Sequence, residues 1–362
     1  MSKSQIPRYG NALDPNGVGQ KGEHLFGLSY SAEEASLIVL PVPWDLTASY
    51  GDGTRKGPEA VLDASPQLDL EDSAVERAWT LPRHMLPIDL RWQQQSQAER
   101  QWVETYIQWL ETGRKESKAK SMMEGLATVN EKCAYLLEWV REQSRSFLEQ
   151  GKKVAVLGGD HSTSLGLMQA LGERYGSFGI LQIDAHMDLR EAYEGFTYSH
   201  ASIMFNALQI PSLTSLVQVG IRDYCPAEKE LAEEDDRIRP WYDHALHDAL
   251  FRGQHWNNLC MDIVKDLPDK VYVSFDIDGL EPFHCPGTGT PVPGGLAYPQ
   301  AIHLLETLHR SGREIIGFDL CEVAPSMGDQ EWNANVGARM LYKLCNLCLV
   351  SPKKMNFQQI NH

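Results

Sequence analysis

From residue 153 onward, apolar runs of five or six residues alternate with segments whose apolar positions recur every three or four residues. The first kind suits a strand buried on both faces, the second an amphipathic helix. The pattern predicts strands at 153–157, 178–183, 215–219, 271–275 and 315–320. Helices are predicted at 163–175, 299–310 and 335–347, with an acidic helical stretch after Val219. Upstream, residues 36–43 form a buried strand broken by Pro41 and Pro43. A glycine-rich loop from Gly51 to Gly57 then leads into a helix near Pro58. Residues 91–120 interleave polar residues with Trp92, Trp102, Tyr106 and Trp109, which predicts surface helices joined by a charged loop at 114–120. Ala134, Leu137, Val140 and Phe147 place a helix at 130–149, ending near Gly151. Alternating strands and helices predict an α/β fold: one three-layer α/β/α domain around a mostly parallel sheet. No repeat or linker divides it. Residues 1–34, polar and rich in Gly, Asn and Ser, read as an irregular N-terminal arm, 35–350 as the domain and 351–362 as a C-terminal tail.

Composition narrows the partners. The 362 residues are 42% hydrophobic and 23% charged, an ordinary globular balance. A formal net charge of −16 repels phosphate backbones and makes nucleic acid a poor partner, while favouring cationic ligands. No run approaches the roughly 20 apolar residues of a membrane span, and the start from Met1 to Pro7 has no apolar leader. The seven cysteines are scattered and odd in number. Cys345 and Cys348, the one close pair, lie on a predicted helix without a second pair, so buried thiols are expected rather than a zinc site. A cytoplasmic chain is the expectation.

The chemistry gathers at strand ends. Asp184, His186 and Asp188 are spaced by two, which puts all three side chains on one face of an extended backbone. Asp276 and Asp278 follow another predicted strand, and His161 follows a third in Gly158-Gly159-Asp160-His161-Ser162. In parallel sheets ligands sit beyond the carboxyl ends of the strands. Each motif alone has a bland explanation, since Asp160 or Ser162 could simply cap a helix. Together they offer four carboxylates and two imidazoles, which would repel one another without cations. Two divalent ions would neutralise them, and a sulfur-free O/N donor set suits Mn, with Ni or Co close behind. His244, His247, His255, His303 and His309 lack such a context and read as helix or surface residues. The Gly287 to Gly295 loop lacks a P-loop lysine and reads as pocket wall.

These runs resemble the signatures of the ureohydrolases, the arginase and agmatinase family. Gly158 to Ser162, Asp184 to Asp188 and Ser274 to Pro282 match in order, over a span from about Val39 to about Leu347. Gly57-Pro58, Pro286 to Thr290 and Asp319 to Val323 match further, and Glu281 stands where the family usually has Asp. The resemblance implies one metal on His161, Asp184, Asp188 and Asp276, and a second on Asp184, His186, Asp276 and Asp278. It implies a hydroxide between them that attacks a guanidinium carbon, with Asp188 orienting it. Glu322 would pair with the guanidinium and His200 would shuttle a proton to the departing amine. It also implies a homo-oligomer, a trimer or hexamer.

The substrate depends on residues 189–198. This loop lacks the Asn- and Ser-containing pattern by which arginases resemble one another. Arg190 could repel a distal ammonium, hold a carboxylate, or be paired internally while Tyr193, Phe196, Tyr198 and Trp332 close a small aromatic pocket. The last reading resembles the guanidine-hydrolase branch. Free guanidine or a small alkylguanidine is the expected substrate, agmatine next, then guanidinobutyrate or formiminoglutamate. Two other classes stand beside these: a silent subunit of a hetero-oligomer, and a single-zinc amide hydrolase of similar fold.

Overall fold

The computed structural model describes residues 15–19, 22, 24–326, 328–329 and 331–351. In chain order the elements are β1 (Leu37–Val42), α1 (Gly57–Ala64), β2 (Arg83–Met85), α2 (Leu90–Glu111), α3 (Glu116–Glu149), β3 (Lys153–Gly158), α4 (Leu165–Arg174), β4 (Phe178–Ile183) and α5 (Ile203–Ala207). They continue with β5 (Leu213–Ile221), α6 (Pro226–Glu234), β6 (Ile238–Tyr242), α7 (Asp243–Phe251), α8 (Trp256–Lys265), β7 (Lys270–Asp276), α9 (Tyr298–Arg310), β8 (Glu314–Cys321) and α10 (Trp332–Leu349).

The strands form one parallel sheet in the order β2-β1-β3-β8-β7-β4-β5-β6. The apolar runs earn their place because both faces are covered. On β3, Ala155 and Leu157 face one core with α1, α8, α9 and α10, while Val154 and Val156 face another with α2, α3 and α4. The three-layer α/β/α expectation therefore holds.

Several boundaries differ from the sequence reading. The segment expected to be a charged loop at 114–120 is mostly helix, because α3 starts at Glu116. Met122, Leu126, Val129, Cys133, Leu136 and Val140 keep a three- or four-residue spacing along it, and all are buried. The acidic stretch after β5 resolves into α6, β6 and α7, with α8 following. The three-residue β2 was not expected; it pairs only with β1, at the sheet edge.

Much of the expected N-terminal arm lies outside the described residues, as does the expected tail beyond Ser351. Leu25, Phe26 and Leu28 of the arm are buried in the core. Six of the seven cysteines are buried, and all seven are free thiols. Among the described residues no helix is long and apolar enough to cross a membrane.

Candidate metal centre and its pocket

The sheet order explains why motifs far apart in sequence can meet. β3, β8, β7 and β4 are consecutive central strands, and their carboxyl ends carry His161, Glu322, Asp276 and Asp184. After β3 the chain turns at Gly159, where a Cβ would stand 1.9 Å from the carbonyl oxygen of Trp44, so only glycine fits. Asp160 then accepts from the Ser162 N–H at 3.1 Å and starts the helical turn that aims His161 inward.

His161 is held from behind. Its Nε2 lies 2.8 Å from Ser274 Oγ, which donates to Asp319 Oδ2 at 2.8 Å. Asp319 is fully buried and also accepts from the Tyr272 hydroxyl at 2.7 Å. With Nε2 occupied, Nδ1 is left facing Asp184 Oδ2 and Asp188 Oδ2, each at 3.1 Å, and Asp276 Oδ2 at 3.5 Å. It is buried and makes no aligned hydrogen bond. A lone pair aimed among three carboxylate oxygens fits a cation there.

His186 repeats the arrangement next door. Its Nδ1 lies 3.2 Å from Asp278 Oδ2 and 3.5 Å from Asp184 Oδ1. Two donor sets thus share Asp184: His161, Asp184 and Asp188, and Asp184, His186 and Asp278, with the ligand atoms of each set within 4.8 Å of one another. Asp184 is anchored by two glutamines that the sequence reading passed over. Gln182 donates to Asp184 Oδ2 at 2.8 Å, and Gln218 donates to Gln182 Oε1 at 2.6 Å and to the Met187 carbonyl at 2.7 Å. Both are fully buried, face to face on β4 and β5. Their only sequence signal is an amide inside an apolar strand. Asp188 and Glu322 hold φ of +55° and +66°, a conformation that L residues adopt at a cost and that clusters at functional sites.

Charge is the dominant feature. Among the described residues no Lys or Arg forms an ion pair with Asp184, Asp188, Asp276, Asp278 or Glu322. Two like charges 4 Å apart cost about 4 kcal/mol at an effective dielectric of 20, and one hydrogen bond to a charged group returns about 1.5–3 kcal/mol. Backbone donors such as the Ala185 N–H on Asp278 Oδ1, at 3.0 Å, cannot offset that. Burial, followed by the Asp278 charge, drives Asp276 well above the carboxylate range; burial and Asp184 raise Asp188; burial and Asp160 raise Glu322. For His161 burial works the other way, but Asp184 and Asp188 outweigh it and hold the imidazole well above its ordinary value. The cluster recruits positive charge, and a divalent ion supplies it in the same place.

A cavity of about 120 Å³ opens beside the cluster, lined by Ser49, His186, Asp188, His200 and Thr290 together with Arg190, Tyr193, Asp223, Tyr224 and Glu228. His200 Nε2 lies 3.2 Å from Ser49 Oγ, and burial, then the two neighbouring imidazoles, hold His200 down at about 3, so it is neutral. Arg190 is internally engaged: its Nε lies 3.7 Å from Glu228 Oε2, and its guanidinium stacks on Tyr193 at 4.7 Å. Thr290 puts the Gly287 to Gly295 loop on the cavity wall.

Three of the four aromatic residues expected to close the pocket do not line it. Phe196 is fully buried against Tyr106, with ring centroids 5.5 Å apart. Tyr198 packs on the same core, and Trp332 is half exposed, donating through Nε1 to the His284 carbonyl. Their spacing from Tyr193 misled, because the chain reverses at Glu194-Gly195 and turns Phe196 inward. Glu322 sits one layer below the wall, under Gly289, and accepts from the His161 N–H at 2.9 Å.

A model of the Arginase family matches residues 35–346. The chain belongs to the arginase family. It is therefore a metal-dependent hydrolase of linear amidino C–N bonds. The enzyme is 34% identical over 300 residues to N(1)-aminopropylagmatine ureohydrolase of Thermus thermophilus, covering 81% of this chain and 84% of that protein. It is 30% identical to N(1)-aminopropylagmatine ureohydrolase of Synechocystis, covering 90% and 92%. Its fold matches the crystal structure of agmatine ureohydrolase of Thermoplasma volcanium with a TM-score of 0.66 at 20% identity, covering 91% and 95%.

Proposed function

We propose that the enzyme uses two divalent ions, Mn or Ni, to cut an alkylguanidine that carries a distal cation, of the agmatine class, into urea and an amine. The observation that carries the reading is the buried carboxylate cluster that, among the described residues, forms no ion pair with Lys or Arg, open to a cavity whose one arginine is already paired. His161, Asp184, Asp188 and Asp276 would hold one ion, and Asp184, His186, Asp276 and Asp278 the other. When bound, such a pair lowers the pKa of water and offsets the carboxylate charge.

The chain's own groups supply the rest. Glu322, buried beneath Gly289 and in no ion pair with Lys or Arg among the described residues, would accept the guanidinium in a planar charge-assisted pair once the Gly289 loop makes room. Asp188 would orient the attacking oxygen. His200, neutral at rest, would take up the proton given up by the attacking water and pass it to the departing nitrogen, with Ser49 fixing its ring. On the cavity wall, Glu228 neutralises Arg190, while the Asp223 side chain is 68% exposed and, among the described residues, has His186 Nε2 at 3.9 Å as its one ion-pair partner. That leaves a carboxylate for a distal ammonium.

Free guanidine, the first expectation from residues 189–198, draws less support. The closed aromatic pocket it relied on retains only Tyr193. The relatives named above support the longer substrate. Urea release from agmatine, N(1)-aminopropylagmatine, guanidinobutyrate, methylguanidine, guanidine and arginine, after Mn or Ni loading, tests the reading. Agmatine or its aminopropyl derivative should lead in kcat/KM, and a lead by guanidine or arginine overturns the substrate assignment.

A further inference from the structure

α2 and α3 form an antiparallel hairpin. Trp92 packs on Tyr135 and Trp139 with centroids 5.6 and 5.3 Å apart, Lys132 pairs with Glu99, and Gly125 gives way to the Trp102 ring. The sequence reads these helices as surface cover. In the structure they reach the pocket through two separate loops.

The first is the loop after β1. Ser96 donates to Asp45 Oδ1 at 2.8 Å and accepts from the Asp45 N–H at 3.2 Å. Arg100 donates to the carbonyls of Leu46 and Ala48. This loop ends in Ser49, the hydrogen-bond partner of His200.

The second is the turn that carries Tyr193. Tyr193 and Phe196 exchange backbone hydrogen bonds of 3.2 and 2.8 Å around Glu194 and Gly195, whose φ values are +55° and +87°. Two left-handed residues in succession make a tight two-residue reversal. Its back is seated on the hairpin: the Tyr106 hydroxyl donates to the Glu194 carbonyl at 2.9 Å. Asn130 donates to the Gly195 carbonyl and accepts from the Thr197 N–H, both at 3.0 Å. A Cβ on Gly195 would come within 2.9 Å of Leu126 and 3.0 Å of the Tyr106 hydroxyl. Its front presents Tyr193, stacked under Arg190 and edge-on to His200 at 6.3 Å.

We propose that the α2–α3 hairpin sets substrate selectivity, with Tyr106 and Asn130 as positioning residues that fix the Tyr193–Arg190 wall relative to His200. Neither touches the cavity; they act through the turn. A guanidino group reaches the metal cluster whether or not this wall is fixed, but a substrate with a carbon chain must pass along it. Displacing a positioning wall by an ångström can cost up to about a hundredfold in rate.

The proposal rests on the alkylguanidine reading and is tested beside it, with Tyr106→Phe, which removes one hydroxyl, and Asn130→Ala, which removes both amide bonds. Each variant should raise KM for agmatine about tenfold while kcat stays within about twofold. The agmatine-to-guanidine ratio of kcat/KM should fall about tenfold in both, at unchanged metal content. Asn130→Asp keeps the acceptor for Thr197 and should lie between wild type and Asn130→Ala. A hairpin that merely braces the fold would lower Tm in these variants and leave the ratio unchanged, and that result overturns the proposal. If the wild-type enzyme releases urea, the alkylguanidine reading is judged on its own panel and the variants judge the hairpin. If it releases none from any guanidino compound, both fall.

Discussion

Two clusters of buried charged residues lie in the same chain, and they are built on opposite principles. Around Arg83, every group has a partner of its own. The guanidinium donates to Asn346 Oδ1 at 2.5 Å, the Ala78 carbonyl at 2.6 Å and the Leu81 carbonyl at 3.2 Å, and it stacks on Tyr342 at 5.1 Å. Asn346 passes on to Asp72 Oδ2 at 2.8 Å, and Lys343 bonds Asp72 Oδ1 at 2.7 Å and Glu306 at 3.1 Å. Lys343 meets both carboxylates, Arg310 pairs with Glu306 as well, and the Arg83 charge is met by neutral oxygens and the Tyr342 face. At the carboxyl ends of β3, β8, β7 and β4, five carboxylates form no ion pair with lysine or arginine among the described residues, and His161 Nδ1 and His200 Nδ1 are buried without aligned hydrogen bonds. A cluster that is satisfied within the protein holds the fold. A cluster left unsatisfied, at a cost to stability, reserves a place for something that arrives later.

The largest expected effect separates the clusters by activity. Asp184→Ala should cut kcat/KM by at least about a thousandfold, on the scale of losing a central catalytic group, and should lower metal content with it. Its metal-free form should also be less stable than the metal-free wild type: burial works against the Asp184 charge, but His161 and His186 outweigh it and hold the carboxyl well below the usual range, so its loss strands both imidazoles and the Gln182 amide. Glu322→Gln should cost about a hundred- to a thousandfold in kcat/KM while both metals stay, checked by steady-state kinetics and elemental analysis together.

Arg83→Met inverts that outcome. Removing the guanidinium leaves Asn346 Oδ1 and the Ala78 and Leu81 carbonyls without their donor, at about 1–3 kcal/mol for each buried group left unsatisfied, so urea denaturation should show a loss of a few kcal/mol while kcat/KM per folded molecule is unchanged. A drop in kcat/KM matching that of Glu322→Gln would erase the distinction between the clusters.

Proton linkage gives a smaller effect of opposite sign in the two places. Burial and mutual repulsion raise Asp188, to about 7, and raise Asp276 and Glu322 as well. The native metal-free protein therefore binds more protons than the unfolded chain above the usual carboxylate value near 4; the three raised carboxylates outnumber His200, whose lowered value works the other way, so stability falls as pH climbs from about 4 through about 7 and keeps falling above it. Metal loading should flatten that slope. Asp72 is shifted down: burial opposes the shift, but Lys343 and Asn346 outweigh it. Its stabilisation is present above about pH 4 and lost as pH falls through its lower native value. Chemical denaturation from pH 3 to pH 8, with and without metal, reads both slopes, and Asp72→Asn should remove only the acid-side loss.

How far the sequence revealed these clusters follows the same division. The carboxylates and imidazoles of the cluster were legible because Asp184, His186 and Asp188 recur by two at a strand end, and no structural need explains so many carboxylates there. The central strands were legible as apolar runs. The partners that hold the site were not. Gln182 and Gln218 interrupt apolar strands by one residue each, and only the register between β4 and β5 shows that they meet. The start of α3 was read as loop because Lys118 and Lys120 face solvent and leave no apolar period until Met122. Phe196 and Trp332 were read into the pocket because spacing in a loop carries no direction; the reversal at Glu194-Gly195 and the exposed start of α10 decide it. Arg83 and Asp72 gave no signal, since 263 residues separate Arg83 from Asn346.

The central claim is that the unsatisfied carboxylate cluster is a two-ion site. Chelated full-length enzyme titrated with Mn, and separately with Ni, by calorimetry, with elemental analysis of the dialysed product, measures it directly. The account predicts two ions per chain and a rise in Tm on loading, with binding lost in Asp184→Ala and kept in Arg83→Met. A stoichiometry of one or none, or binding undiminished in Asp184→Ala, contradicts it.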